Sequence, residues 1–169
     1  MIESGSKDTI EAIFARAIGF EYKAADIFKE FSKLFSHIQE ISSFWQELAE
    51  DEIQHAETLQ NIRKSLTSEQ LLSPCDKEIS MKVDITQCML TAVSIASIRN
   101  LDDAYELAHE LEFSEVNTIF KLMTTEFIHS QERRQFIVSQ ISEHQQKLVD
   151  FTHNFGDRDW RKEVIINHV

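Results

Sequence analysis

LAEDEIQHAETL, residues 48–59, sets Glu52 and His55 on the stripe that also carries Leu48 and Leu59. Residues three and four apart share one face of an α-helix. A carboxylate and an imidazole therefore stand where the pattern calls for side chains that face a core. Outward from this stretch the stripe runs Ile41, Phe44, Trp45, Leu48, Glu52, His55, Leu59 and Ile62, which predicts a helix over about 37–66.

Upstream, Asp8 followed three residues later by Glu11 has the form of a capping box. Behind it Ile10, Phe14, Ala17, Glu21, Ala24, Phe28 and Phe31 predict a helix over about 8–34. Downstream, Leu101, Tyr105, Ala108, Glu112, Val116, Ile119 and Met123 predict a third over about 100–123. Phe136 or Ile137, then Ile141, His144, Leu148 and Phe151 predict a fourth over about 127–152. Between the pairs lies a crossover, 67–99, stopped by Pro74 and holding a short helix in DITQCMLTAVSIASI. The tail, 153–169, is polar and broken by Gly156; Trp160 is its one candidate for docking. The expected fold is all-α: one domain over 1–169, a four-helix bundle of two hairpins joined by a long central crossover.

Composition agrees with that reading. The 169 residues include three Gly and one Pro, so few residues interrupt long helices. A net charge of -12 argues against nucleic acid or an anionic membrane as partner, since either would be repelled. Cys75 and Cys88 are the only cysteines, and their spacing excludes a zinc ribbon or a rubredoxin-like iron site. The N-terminal stretch MIESGSKDTIEAIF lacks the pattern of a secretory signal, and CMLTAVSIAS (88–97) is too short to cross a bilayer. A cytoplasmic location is expected.

The two halves repeat. With a shift of 91, TIEAIFARAIGFEYKAADIFKEF lies over NLDDAYELAHELEFSEVNTIFKL without a gap, setting Glu21 on Glu112. With a shift of 89, EIQHAETL lies over ISEHQQKL, setting His55 on His144. The register also sets aside EFIH (126–129), a second Glu-x-x-His. It follows Glu112 by only fourteen residues, too few for two antiparallel helices whose side chains meet at one level. Glu126 and His129 are expected near a turn, and His37, His109 and His153 in water.

Glu21, Glu52, His55 and Glu112 each have apolar neighbours one turn away, and the repeat adds His144. Several buried carboxylates in one layer need a cation between them. Mixed carboxylate and imidazole ligands suit divalent iron or manganese better than zinc. One Glu from each of two helices, with Glu-x-x-His from each of the other two, is the general di-iron carboxylate design.

AIGFEYKAADIF, LAEDEIQHAETL and AHELEFSEVNTIF resemble the ferritin-like superfamily, closest to the rubrerythrin-like proteins, over about 8–152. The resemblance implies two irons, or manganese, inside the bundle. It makes Glu21 a terminal or bridging ligand, Glu52 a bridging carboxylate and His55 a terminal imidazole. Glu112 and His144 carry over on the second half, and Glu115 resembles the extra helix-three carboxylate of rubrerythrins. The sequence departs from the pattern at Ile141, which stands where a second bridging Glu would be. Glu143, two residues on, faces another side of the helix.

Two functions follow as expectations. One is a di-iron oxidoreductase of peroxidase or ferroxidase type, acting on peroxide, dioxygen or ferrous iron and drawing on an external electron donor. The other is a metal-binding or assembly protein without turnover, favoured by Ile141 and holding a single metal or none. Such bundles often pair, so a homodimer is expected.

Overall fold

The computed structural model describes residues 8–167; the side chain of Glu115 lies outside the described set. Among the described residues there are no strands, only the isolated bridges Thr9–Pro74 and Asn100–Ile165. No described helix is long and apolar enough to cross a membrane.

The first hairpin pairs α1 (Ile10–Leu34) with α2 (Gln39–Ser65). The cap of α1 is Thr9, whose hydroxyl accepts from Ala12 N at 3.2 Å, and not the expected Asp8. Asp8 is engaged elsewhere: its carboxylate accepts from Ser80 and its carbonyl from Cys75 N at 2.7 Å. Glu11 does not reach back along its own helix either. It pairs with Arg63 on α2 and pins the open end of the hairpin.

The crossover is more ordered than the sequence pattern suggests. A short α3 (Ser68–Leu72), closed by a Thr67–Gln70 capping box, precedes Pro74. Then α4 (Lys77–Ala92), capped by Asp76, begins well before Asp84 and lies against α1 and α6. A 3-10 turn at Ile95–Ser97 leads to the second hairpin.

The third rod is not continuous. It consists of α5 (Leu101–Glu112) and α6 (Glu115–Phe127), broken at Phe113–Ser114. Ser114 caps α6 by accepting from Val116 N, and its hydroxyl donates to Leu111 O. The fourth rod, α7 (Gln131–Asn154), starts at its Ser130 cap, later than expected, and runs further. Glu126 ends up in the last turn of α6 and His129 in the link to α7, both exposed. On α7 it is Ile137 that is buried, while Phe136 is exposed.

The tail turns at Gly156, whose φ of 84° favours glycine, and forms α8 (Arg158–Glu163). Arg161 is buried there; it ion-pairs with Asp102 at 3.0 Å, donates to Gly156 O and lies 4.4 Å over the Tyr105 ring. Leu101 N and Ile166 N extend the attachment through Val164 O and Arg99 O.

Aromatic side chains fill one end of the bundle. Trp45 is stacked at 6.1 Å on Phe28, with Phe31, Phe44 and Phe151 at 5.0–5.4 Å around it. Phe28 and Trp45 each lie seven residues from Glu21 and Glu52 respectively, about 10 Å along their helices. This floor fixes the level of the polar layer.

Candidate metal centre

Each rod contributes to one buried polar layer. Glu21 comes from the middle of α1, Glu52 and His55 from α2, Glu112 from the last position of α5 and His144 from α7. All five are at most 4% exposed. Alanines leave room for them: Ala17, Ala24 and Ala25 beside Glu21, Ala49 and Ala56 beside Glu52, and Ala108 before Glu112 are all buried.

The atoms fall into two triads that share Glu52. Glu21, Glu52 and His55 form one; Glu52, Glu112 and His144 form the other, with one candidate ligand atom per residue within 4.8 Å of the rest. His55 Nδ1 lies 3.1 Å from Glu52 Oε2 and 3.5 Å from Glu21 Oε2. His144 Nε2 lies 2.7 Å from Glu112 Oε1 and 2.9 Å from Glu52 Oε1. The two rings stand 5.4 Å apart, and Phe120 of α6 packs on His55 at 4.6 Å.

His55 Nδ1 and Glu52 Oε2 form a hydrogen bond, but the layer is not fully satisfied. His144 Nε2 and Glu21 Oε2 are buried and lack a well-directed partner. Donor atoms gathered around a common point without satisfying one another fit a cation between them. The residues present therefore suit a metal.

Protonation in the metal-free protein supports the same reading. Burial and the Glu52 charge push the Glu21 carboxyl well above its ordinary value, and Glu112 is raised for the same two reasons. Burial would raise Glu52 as well, but His144 and His55 outweigh it and hold Glu52 well below. Burial would lower both imidazoles; the surrounding carboxylates instead push His55 up to about 10 and His144 up to about 12. Two imidazolium ions thus supply the positive charge that a metal would bring.

Further side chains hold this layer in place. Asp51 accepts from His144 Nδ1 at 3.0 Å and from Lys147 Nζ at 2.6 Å. Asn117 and Gln145 both donate to Glu112. None of the three was singled out in the sequence. Asp51 could have been, since it adjoins Glu52 and α2 faces α7 there. Ile141, 6% exposed, stands in the layer where the repeat calls for a carboxylate, and no side chain described takes its place. Glu143 is exposed. The side chain of Glu115 lies outside the described residues. Tyr22 is exposed, and Tyr105 packs on Phe151 and Arg161 near the tail.

A small cleft of about 190 Å³ opens between α2 and α7 onto His55 and His144, with Gln54, Gln140 and Glu143 at its rim.

A family model described as Rubrerythrin matches residues 12–148. Among solved structures, the fold matches a crystal structure described as a ferritin-like diiron-carboxylate protein from Thermotoga maritima. The TM-score is 0.59 and the identity 20%, covering 86% of this chain and 95% of that one. At that identity the likeness is one of fold. A search of curated proteins gives no match.

Proposed function

Because the chain belongs to the rubrerythrin family, we propose that it is an iron-dependent oxidoreductase that acts on peroxide, dioxygen or ferrous iron. The observation that carries this reading is the pair of buried triads meeting at Glu52. There Glu21 and His55 would hold one iron and Glu112 and His144 the other, with Glu52, common to both triads, available to each. Iron bound there would supply redox chemistry between its ferrous and ferric states.

The chain's own contribution is placement and exclusion. Four rods fix the ligands, and Asp51 keeps His144 in the tautomer whose Nε2 faces the centre. The Trp45 floor and Phe120 keep water from the apolar sides. The cleft beside His55 and His144 gives a molecule of peroxide or dioxygen size a way in. Reducing equivalents come, in this reading, from a separate donor protein.

Ile141 favours a second reading, a metal-binding or assembly protein without turnover, because among the described residues Glu52 alone is common to both triads. One experiment separates the two. Elemental analysis of protein purified without added metal is followed by loading with ferrous iron and exposure to air or peroxide. About two irons per chain and a near-ultraviolet ferric band that develops on oxidation support the oxidoreductase. A bound metal whose spectrum never responds, or no bound metal at all, supports the second reading and contradicts the first.

A further inference from the structure

The two triads are not braced alike. Glu112 ends α5, and the break that follows swings Asn117, in the first turn of α6, back over it. Asn117 is 7% exposed, and its Nδ2 donates to the Glu112 carbonyl at 2.6 Å and to Glu112 Oε2 at 2.9 Å. Two acceptors on that side fix which end of the amide is nitrogen. Oε2 is thereby occupied, and only Oε1 of Glu112 faces His144 Nε2. Gln145 on α7 donates to the same Glu112 carbonyl at 2.9 Å, and Asp51 holds His144. Every member of this triad except the shared Glu52 has an outer partner.

Its counterpart differs. Glu21 lies mid-helix with small neighbours, and its Oε2 has no hydrogen-bond partner. The residue that matches Asn117 in the repeat is Asp26, which is exposed and pairs with Lys29. Among the described residues nothing comparable holds the Glu21 carboxylate.

We propose that Asn117 is a positioning residue that makes the two metal positions unequal: by tying down Glu112 Oε2 it pre-organises the Glu52–Glu112–His144 triad, which fills first and more tightly. The inference rests on the two-metal reading above. A ligand already held in its bound orientation loses less freedom on binding, and outer partners of metal ligands are typically worth about 10–100-fold in affinity. Asn117 therefore acts through Glu112 and touches neither metal nor substrate.

The test is a Mn(II) titration of the metal-free full chain, followed by calorimetry and by the electron paramagnetic resonance of the bound ion. The wild-type chain is expected to bind in two separable steps, about tenfold or more apart. Glu112→Gln removes the tighter step and Glu21→Gln the weaker. Asn117→Leu weakens the tighter step by about tenfold or more and changes its resonance, leaving the weaker step in place. Asn117→Asp keeps the size of the side chain but lacks the donor. It is expected to act in the same direction and serves if the leucine variant does not fold. Gln145→Leu is the comparison: it removes a bond to the same carbonyl without touching the carboxylate, and is expected to weaken the tighter step clearly less than Asn117→Leu does.

Two equal steps in the wild type would overturn the inference. So would an Asn117 variant that leaves both steps unchanged, or a Gln145 variant that matches it. A wild-type chain that binds no Mn(II) would overturn the two-metal reading first and this inference with it.

Discussion

Asp51 on α2 reaches His144 on α7, with Oδ2 3.0 Å from Nδ1, and Lys147 Nζ closes on the same oxygen at 2.6 Å. The contact joins the first hairpin to the second at the level of Glu52. It also decides which imidazole nitrogen points inward. Asp51→Ala is therefore expected to lower metal affinity by about 10–100-fold, with Asp51→Asn intermediate. Competition with a chromogenic chelator measures this; an unchanged affinity would show that the contact is incidental.

Ile141 marks where the two halves of the repeat diverge. Placing a carboxylate there by Ile141→Glu adds an anion to a layer that already holds three buried glutamates. Without metal the variant is expected to lose about 3–5 kcal/mol, or to keep the new group protonated. With Mn(II) it should recover most of that loss, so its metal-induced rise in Tm exceeds that of the wild type. Equal rises in the two proteins would mean that residue 141 does not face the metal.

The raised imidazoles give a pH dependence with a definite sign. His55, up to about 10, and His144, up to about 12, lie above the ordinary value of about 6.5. A group raised by folding stabilises the fold fully below its unfolded value and loses that contribution as pH climbs toward the folded one. The raised carboxyls of Glu21 and Glu112 act in the same sense from a lower starting pH. Glu52, held low, acts oppositely and loses its contribution only in acid. The metal-free fold should thus weaken between about pH 6.5 and 10. Metal needs unprotonated imidazole, so its affinity rises over the same range and binding releases protons. Thermal unfolding with and without Mn(II) should show a gap that widens with pH; a gap that narrows would be inconsistent with this protonation.

Away from the centre, Arg161 and Asp102 form a buried pair, 5% and 4% exposed, that holds the tail to α5. Arg161→Ala leaves Asp102 buried with Arg158 as its remaining cation. The expected loss is about 3–5 kcal/mol in chemical denaturation, with little effect on metal content. A loss below about 1 kcal/mol, the range of exposed pairs, would place the tail outside the cooperative fold.

Much of this was legible in the sequence. The stripe through Glu21, the Glu52–His55 pair and the shifts that reach Glu112 and His144 all follow from helical periodicity, and the structure brings those five side chains into one layer. What periodicity hides is a local exchange of partners. The pattern runs unbroken through Phe113–Ser114 because α5 and α6 keep one apolar face across the break. Only Ser114, a residue type suited to capping, hinted at a new helix there. Asp8 had the right type for a cap, but lost that place when Ser80 and Cys75 from the crossover engaged it. Asp51 and Arg161 are charged residues next to apolar positions, and spacing alone assigns such residues to water. Arg161 is buried and Asp51 half-buried because of what lies opposite each, which one chain's pattern does not state.

The most direct test is anomalous diffraction from crystals grown with Mn(II), with data collected near the manganese edge. The account predicts two peaks about 3.5–4 Å apart on either side of the Glu52 carboxylate, one beside Glu21 and His55 and the other beside Glu112 and His144. Peaks confined to the acidic exterior, with the five side chains paired only to one another, would contradict it.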